Sequence, residues 1–325
     1  MQGSREQISL SSGHSFRLLR WTRNLSEVDS ILAPHRSERI TSEGTHWHYH
    51  GEMELTMFSA GEGTRFVGDH IGPFAPGDIV LLGSKLPHCW HTHGPSAGLS
   101  LQWSFLSSHP FWSFPETSAC SGLFRRAGRG IQYTGETAAA IHDGLHQLAV
   151  SSGADRLGGL LRLLGLMVAA PLSDQRYLAT RSFALAGPEI PQVAMGVVMR
   201  HLMANFRVEI RLKELLQLAR MSKPTFARQF KKHSGKTFSD FITEVRLQAA
   251  CRELVETDRS VLEIALDCGF SQISFFNRVF RRVLQRSPSD YRKIERQRLA
   301  RSDTTPLFQS DESIISYTDR RFDTF

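Results

Sequence analysis

Cysteine is scarce in this chain: four residues in 325, at Cys89, Cys120, Cys251 and Cys268. They form no Cys-x-x-Cys pair and no regular spacing, which excludes a small scaffold held together by disulfides. Long apolar runs are missing too. The longest, about Leu157 to Leu172, is broken by Arg162 and is too short to cross a bilayer. No apolar run follows a basic start at the N-terminus, so no secretory signal is expected. These absences lead us to expect a cytoplasmic protein in a reducing compartment, with no membrane partner.

What the chain does have is positive charge in one place. Residues 190–300 carry 21 Lys/Arg against 11 Asp/Glu, whereas residues 1–189 carry 15 against 16 and the last 25 carry 3 against 5. A positive field confined to one segment suits a polyanionic partner, because neutralising phosphates releases counterions. Charge alone would also fit a basic face kept for solubility. The length allows two domains, and a hydrophobic content of 41% is enough to give each a core.

The basic segment also repeats itself at a fixed offset. Phe226, Arg228 and Phe230 recur as Phe276, Arg278 and Phe280, and Lys231-Lys232 recur as Arg281-Arg282. Further on, Lys236, Ser239, Asp240 and Phe241 recur as Arg286, Ser289, Asp290 and Tyr291. A fixed period reports a duplicated structural unit, here a short helix, a turn and a second helix with one apolar and one basic face. In the first copy Leu212, Leu215, Leu216 and Ala219 make an apolar face, Ser222 is a suitable N-cap, and Pro224 falls in the next helix's first turn. Phe226 and Phe230 turn inward, leaving Pro224, Ala227, Arg228 and Lys231 toward a groove. In the second copy Ser260 and Glu263 have capping-box spacing, and Phe275, Phe276, Val279, Phe280 and Val283 are expected in the core. Ser274, Asn277, Arg278 and Arg281 then fall in one row at i, i+3, i+4 and i+7, as a helix in a major groove requires. Lys231, Lys232, Arg281 and Arg282 read as phosphate contacts or solvated charges, and Arg228 and Arg278 as base readers, phosphate clamps or ion-pair partners of the fold.

The first half has a different texture. Short runs such as Glu54–Phe58, Thr64–Val67, Ile79–Leu82 and Leu99–Phe105, separated by Gly61-Glu62-Gly63, Gly68-Asp69 and Ala75-Pro76-Gly77-Asp78, read as strands of a sandwich or barrel over about 16–115. Helical periodicity follows over 136–150 and 154–170, where Leu157, Leu160, Leu161, Leu164 and Met167 or Val168 share a side. That pair can pack on the strands or against a twin chain. Residues 173–189 lose periodicity and read as a linker ending in Gly187-Pro188. Residues 299–325 read as a loosely ordered tail.

Two resemblances follow from these residues. The run from Asp258 through Ile264-Ala265, Cys268-Gly269-Phe270, Ser274, Phe276, Arg278 and Phe280 to Ser287-Pro288 and Asp290-Tyr291-Arg292 resembles the signature of the AraC/XylS family of bacterial transcription regulators. That resemblance covers about 195–295. It implies an all-α DNA-binding domain over 190–298, with tandem helix-turn-helix units at about 212–233 and 260–284 bridged by one long helix. By family correspondence the groove-facing positions are Pro224, Ala227 and Arg228, then Ile273, Ser274, Asn277 and Arg278. The second resemblance lies in His48, His50, Glu54 and Gly61, followed by Pro76-Gly77-Asp78 and Leu86-Pro87-His88, which are similar to the paired motifs of the cupin barrel. Ser42, Gly83 and Lys85 depart from that pattern, which usually has glycine, proline and glycine there. It implies an all-β cupin-like barrel with trailing helices as an effector-sensing domain over 1–172, the helices at about 135–170.

Residues two apart on a strand share a face, so His48, His50 and Glu54 would point inward together and be joined by His88. Such a set suits a divalent transition metal, hydrogen bonding to a small effector, or a structural role. Trp47, Trp90 and Trp103 are candidates to stack on a sugar. The function expected is therefore DNA-binding transcription regulation under control of a small molecule, with carbohydrate favoured, and not an enzyme. A metal-dependent cupin enzyme fused to a DNA-binding domain is the alternative, and a constitutive DNA-binding protein with a vestigial barrel the third. The partners expected are double-stranded DNA, the effector, RNA polymerase and a second copy of the chain in a homodimer.

Overall fold

A computed structural model of the chain describes residues 6–11, 13–42, 44–183, 185 and 189–301. It opens with strands β1 (Phe16–Trp21), β2 (Glu27–Ala33), β3 (Arg36–Thr41), β4 (Met53–Ala60), β5 (Gly63–Val67), β6 (His70–Phe74), β7 (Ile79–Leu82), β8 (His88–Thr92) and β9 (Ala97–Trp103). Helix α1 (Cys120–Arg126), strand β10 (Ile131–Tyr133), helices α2 (Gly135–Ala149) and α3 (Gly153–Ala169) and strand β11 (Gln175–Tyr177) follow. The rest is helical: α4 (Glu189–Asn205), α5 (Leu212–Ala219), α6 (Lys223–Ser234), α7 (Phe238–Glu256), α8 (Val261–Asp267), α9 (Ile273–Leu284) and α10 (Pro288–Arg301). No helix among the described residues is long and apolar enough to cross a membrane.

The strands form two antiparallel sheets rather than a closed barrel. Eight strands run in the order β11-β10-β7-β4-β9-β1-β2-β3, and three in the order β6-β5-β8. Alternation decides which side chain faces which layer. On β4, Met53, Leu55 and Met57 join Leu81, Leu101 and Trp103 in a core covered by Ile141, Leu145 and Leu148 of α2 and Leu160, Leu163, Leu164 and Met167 of α3. Phe58, one register away, joins Val67, Phe74 and Trp90 in a second core on the side of the small sheet. With both faces covered, the middle of β4 is buried at every position, and strict polar alternation is lost there. Gly98 is required at the β4–β9 junction, because a Cβ would lie 2.1 Å from the Met57 carbonyl oxygen.

Three expectations need correction. The segment read as a linker supplies β11, paired to β10 at the edge of the large sheet. It also supplies Leu178, Ala179 and Phe183 to the second core; Gly187-Pro188 lie outside the described residues, as does the tail from 302. In α3 the buried side is Leu160, Leu163, Leu164 and Met167, whereas Leu157 and Leu161 are 46% and 43% exposed. In α9, Phe275 is 38% exposed and only Phe276, Val279 and Phe280 are buried. The described chain divides into two compact units, residues 1–201 with 212–238, and 202–211 with the helices from Ser239 on. Thus α5 and α6 belong to the first unit and α8 and α9 to the second.

Phe183 tests whether this segment is core or linker. Phe183→Ala is expected to lower stability by on the order of 3 kcal/mol, the cost of deleting a buried aromatic. Denaturant unfolding measures it, and a residue of a solvated linker would cost less than about 0.5 kcal/mol.

Candidate functional site

The polar heart of the first unit is built by register. Arg17 of β1 pairs with Gln102 of β9, and Gln102 pairs with Glu54 of β4, so the three form one row across the large sheet. Arg17 Nε donates to Gln102 Oε1 at 2.8 Å, and Gln102 Nε2 donates to Glu54 Oε2 at 2.7 Å. The Thr56 hydroxyl donates to the other Glu54 oxygen.

The histidines reach Glu54 from outside the strand. His48 lies in an isolated bridge and His50 in the irregular segment before β4, so they do not share a strand with Glu54 as their spacing implied. His48 exchanges both backbone hydrogen bonds with His88, at 3.1 and 2.9 Å. That pairing brings the motifs together and sets the two rings 4.3 Å apart. Lys85, where cupins usually have glycine, takes φ +61°, a left-handed conformation glycine enters freely. His48, His50 and His88 are all buried, and one ring nitrogen of each lies within 4.8 Å of the other two.

The hydrogen bonds orient all three rings alike. Nδ1 of His48 is 2.7 Å from the His46 carbonyl, Nδ1 of His50 is 3.2 Å from that of Glu52, and Nδ1 of His88 is 2.8 Å from that of Leu86. A carbonyl only accepts, so each Nδ1 carries its proton and each ring turns its Nε2 inward, where His50 needs a second proton to bond the Glu54 carboxylate. There Nε2 of His50 is 2.9 Å from Glu54 Oε2, and Nε2 of His88 is 3.7 Å from it, beyond hydrogen-bond reach. His88 Nε2 has no hydrogen-bond partner among the described residues.

A carboxylate absent from the sequence reading completes the cluster. Glu6 places Oε2 3.3 Å from His48 Nε2 and Oε1 3.3 Å from Arg17. Nothing in its spacing marked it, because it lies far ahead of His48 in sequence. Burial raises the Glu6 carboxyl against the opposing pull of His50 and Arg17. Burial also works against charge on Glu54, yet His50 and His88 hold its carboxyl well below the usual range. Burial and the neighbouring His88 keep His48 well below its ordinary value and therefore neutral. For His50, burial is outweighed by Glu54 and the net direction is upward.

Space discriminates between occupants. The cavity lined by Glu6, His48, Glu54, Trp90 and Gln102, with Leu19, Leu25 and Val28 on its apolar side, has a volume of ≈ 20 Å³, room for about one water-sized occupant, whereas organic-ligand pockets measure ~300–1,000 Å³. Trp90 lines it edge-on to His88, with ring centroids 5.5 Å apart. Trp47 is buried but is not among the lining residues. An open groove of ≈ 530 Å³ lies near Arg23, Asn24, Asp29 and Arg39, and none of the sequence-named residues lines it.

The helical segments present the second site. On α6, Pro224, Ala227, Arg228, Lys231 and Lys232 are exposed while Phe226 and Phe230 are buried. On α9, Ser274, Arg278 and Arg281 are exposed and Ile273 and Asn277 half-buried. The Arg278 guanidinium lies 5.5 Å from the Phe275 ring centroid, so the exposed phenylalanine braces the arginine from one turn back. Ser260 and Glu263 form the expected capping box at the start of α8. The repeat also reaches residues the sequence comparison passed over. Arg246 donates to the carbonyls of Phe206 and Val208 just past α4, and Arg296, its counterpart in the second copy, donates to those of Val255 and Thr257 at the end of α7.

Residues 215–294 match the family model described as a helix-turn-helix domain. An uncharacterized HTH-type transcriptional regulator of Haemophilus influenzae is 43% identical over 82 residues, covering 25% of this chain and 28% of that protein. Regulatory protein SoxS of Escherichia coli K12 is 42% identical over 71 residues, 22% of this chain and 66% of that protein. Among solved structures, a probable AraC family transcriptional regulator from Rhodopseudomonas palustris is 30% identical, with 32% of this chain and 97% of that one covered at a TM-score of 0.30. The chain thus spans from about a quarter to two thirds of these curated relatives' lengths. Residues 215–294 are a helix-turn-helix domain.

His233, near the end of α6, is buried, and its Nδ1 has no partner among the described residues. Burial and the charge of Lys232 lower its pKa from 6.5 to about 4. Between those values the unfolded chain binds the extra proton, so stability present above pH 6.5 is lost as pH falls toward 4. The loss is about 3 kcal/mol. Against His233→Leu, which cannot titrate, the wild type is expected to lose that much more between pH 7 and pH 4 in urea unfolding. Parallel curves for the two proteins would refute the assignment.

Proposed function

We propose that the chain is a sequence-specific DNA-binding transcription regulator in which the two helix-turn-helix units read double-stranded DNA through α6 and α9. The observation that carries this is the duplicated unit with a basic exposed row on each second helix, in a segment similar to proteins named as regulators. Pro224 and Ala227 offer no side-chain hydrogen bond, so α6 contributes phosphate, shape and methyl contacts. α9 contributes base readout through Ser274, Asn277 and Arg278, with Ile273 as an apolar neighbour. Arg281, Lys231 and Lys232 serve phosphates.

Arg278→Ala in the full chain is expected to weaken the cognate site by about 1–3 kcal/mol and to relax preference at one or two base pairs. Lys232→Ala should weaken all duplexes about equally and make the salt dependence shallower. Fluorescence anisotropy on cognate and scrambled duplexes separates the two roles, and an equal loss on both for Arg278→Ala would make it a phosphate clamp.

For the sensing half we propose a divalent transition metal held by His48, His50, His88 and Glu54. Three imidazoles orient their Nε2 atoms inward, and each is fixed by a carbonyl on Nδ1, which is the support metal-binding histidines need. The small cavity beside His48 favours an ion over the carbohydrate expected from sequence. When bound, the ion would supply a fixed dication that ties the β4 carboxylate to the loops carrying the histidines. Calorimetric titration with Zn²⁺ or Mn²⁺ is expected to give one ion per chain, abolished by His88→Ala. Stabilisation of the wild type by a sugar, and by none of these metals, would contradict the proposal.

A further inference from the structure

The site reaches beyond the paired motifs to the start of the chain. Glu6 is anchored by its backbone N–H, which donates to the Tyr49 carbonyl at 2.9 Å, in the segment between His48 and His50. Its side chain is only 12% exposed and is aimed into the histidine cavity. The contact it makes there joins two acceptors. His48 has committed its Nδ1 proton to the His46 carbonyl, so its Nε2 faces Glu6 Oε2 at 3.3 Å as a lone pair facing a carboxylate oxygen. Glu54 Oε2 stands in the same relation to His88 Nε2 at 3.7 Å. Glu6 and Glu54 line this cavity together with His48, whose ring nitrogen lies within 4.8 Å of those of His50 and His88. Arg17 touches only the outer oxygen of Glu6 and leaves the inner one directed at the histidines. A dication between them satisfies both contacts and balances two carboxylate charges inside a buried site.

We infer that Glu6 is a further ligand of the metal site, and that through it metal occupancy seats the N-terminal segment over the cavity. This rests on the metal reading of His48, His50, His88 and Glu54 proposed above. The described part of this segment is tied down by the Glu6 N–H and carboxylate and by Ser11 and His14, which bond Glu38 and the Leu32 carbonyl, so the Glu6 carboxylate is both a ligand and the closure of the route by which the ion exchanges. The metal, being bound more tightly when the segment is seated, must in turn hold the segment down.

The full chain is titrated with Zn²⁺ against a chromophoric chelator, as wild type, Glu6→Gln and His88→Ala. Amide exchange of the peptide spanning residues 6–16 is followed with and without Zn²⁺. Zn²⁺ is expected to slow exchange in this peptide in the wild type but not in Glu6→Gln. Glu6→Gln is expected to bind Zn²⁺ at least ~10-fold more weakly, since loss even of a group supporting a ligand costs ~10–100-fold. Its exchange elsewhere and its metal-free melting temperature should match the wild type, which separates ligand loss from misfolding. Wild-type affinity in Glu6→Gln, together with metal-independent exchange at 6–16, would overturn the inference while a loss in His88→Ala left the metal site standing. No Zn²⁺ binding by the wild type would overturn both.

Discussion

The first unit is organised around one expensive act, the burial of a carboxylate at the centre of a sheet. Glu54 sits on β4 with a hydrogen-bonded strand on either side and cores above and below. Removing such a charge from water costs several kcal/mol unless partners replace the solvent. Those partners come from across the fold: Gln102 on β9, Thr56 on β4 itself and His50 in the segment just before β4. The chain Glu54–Gln102–Arg17–Glu6 carries the same network to the N-terminal segment. Each group is positioned by a backbone pairing whose register is itself fixed by the apolar residues that alternate with it. A slip of one residue would turn Glu54 into the helix-covered core and expel Met53 and Leu55 from it.

The helical segments show one physical solution used twice. The carbonyls left open at a helix end need donors, and Arg246 and Arg296 supply them at equivalent places in the two copies. The second helices of both units end in a left-handed residue at the same repeat position, Gly235 with φ +73° and Gln285 with φ +54°. Glycine enters that conformation freely, and glutamine holds it while donating to the Arg282 carbonyl at 2.8 Å. The inner faces agree as well, Phe226 and Phe230 against Phe276 and Phe280. The outer faces differ, with Pro224 and Ala227 in one helix where Ser274 and Asn277 stand in the other. Duplication has kept the scaffold and released the surface, as expected when packing constrains one face and solvent the other.

Much of this was legible in the residues themselves. The capping box at Ser260 and Glu263, the helix pairs around 212–234 and 261–284, and the set His48, His50, Glu54 and His88 are all readable as local patterns. Helix periodicity, cap chemistry and donor type are properties of neighbours in sequence, so they survive without coordinates. What was misjudged depended on distant partners. β11 is short and polar, and it is a strand only because β10 offers an edge. Phe275 satisfies the apolar pattern of α9 yet stays exposed, because the core is filled by Phe276, Val279 and Phe280. Trp47 and Trp90 are equally aromatic, and only burial beside the cavity distinguished them.

The sequence by itself determined the two kinds of architecture, the duplicated helical unit and the identity of four polar residues capable of meeting. Each of these follows from strand alternation, helical periodicity or the fixed offset between the two copies. Only the tertiary structure decided how they meet. Strand pairing set Arg17, Gln102 and Glu54 in one row, and the His48–His88 bridge closed two motifs that stand well apart along the chain. Chain reversal brought Glu6 to His48. The space left between them is ≈ 20 Å³, a quantity no pattern of residues encodes, since it is the remainder after every neighbouring side chain has packed.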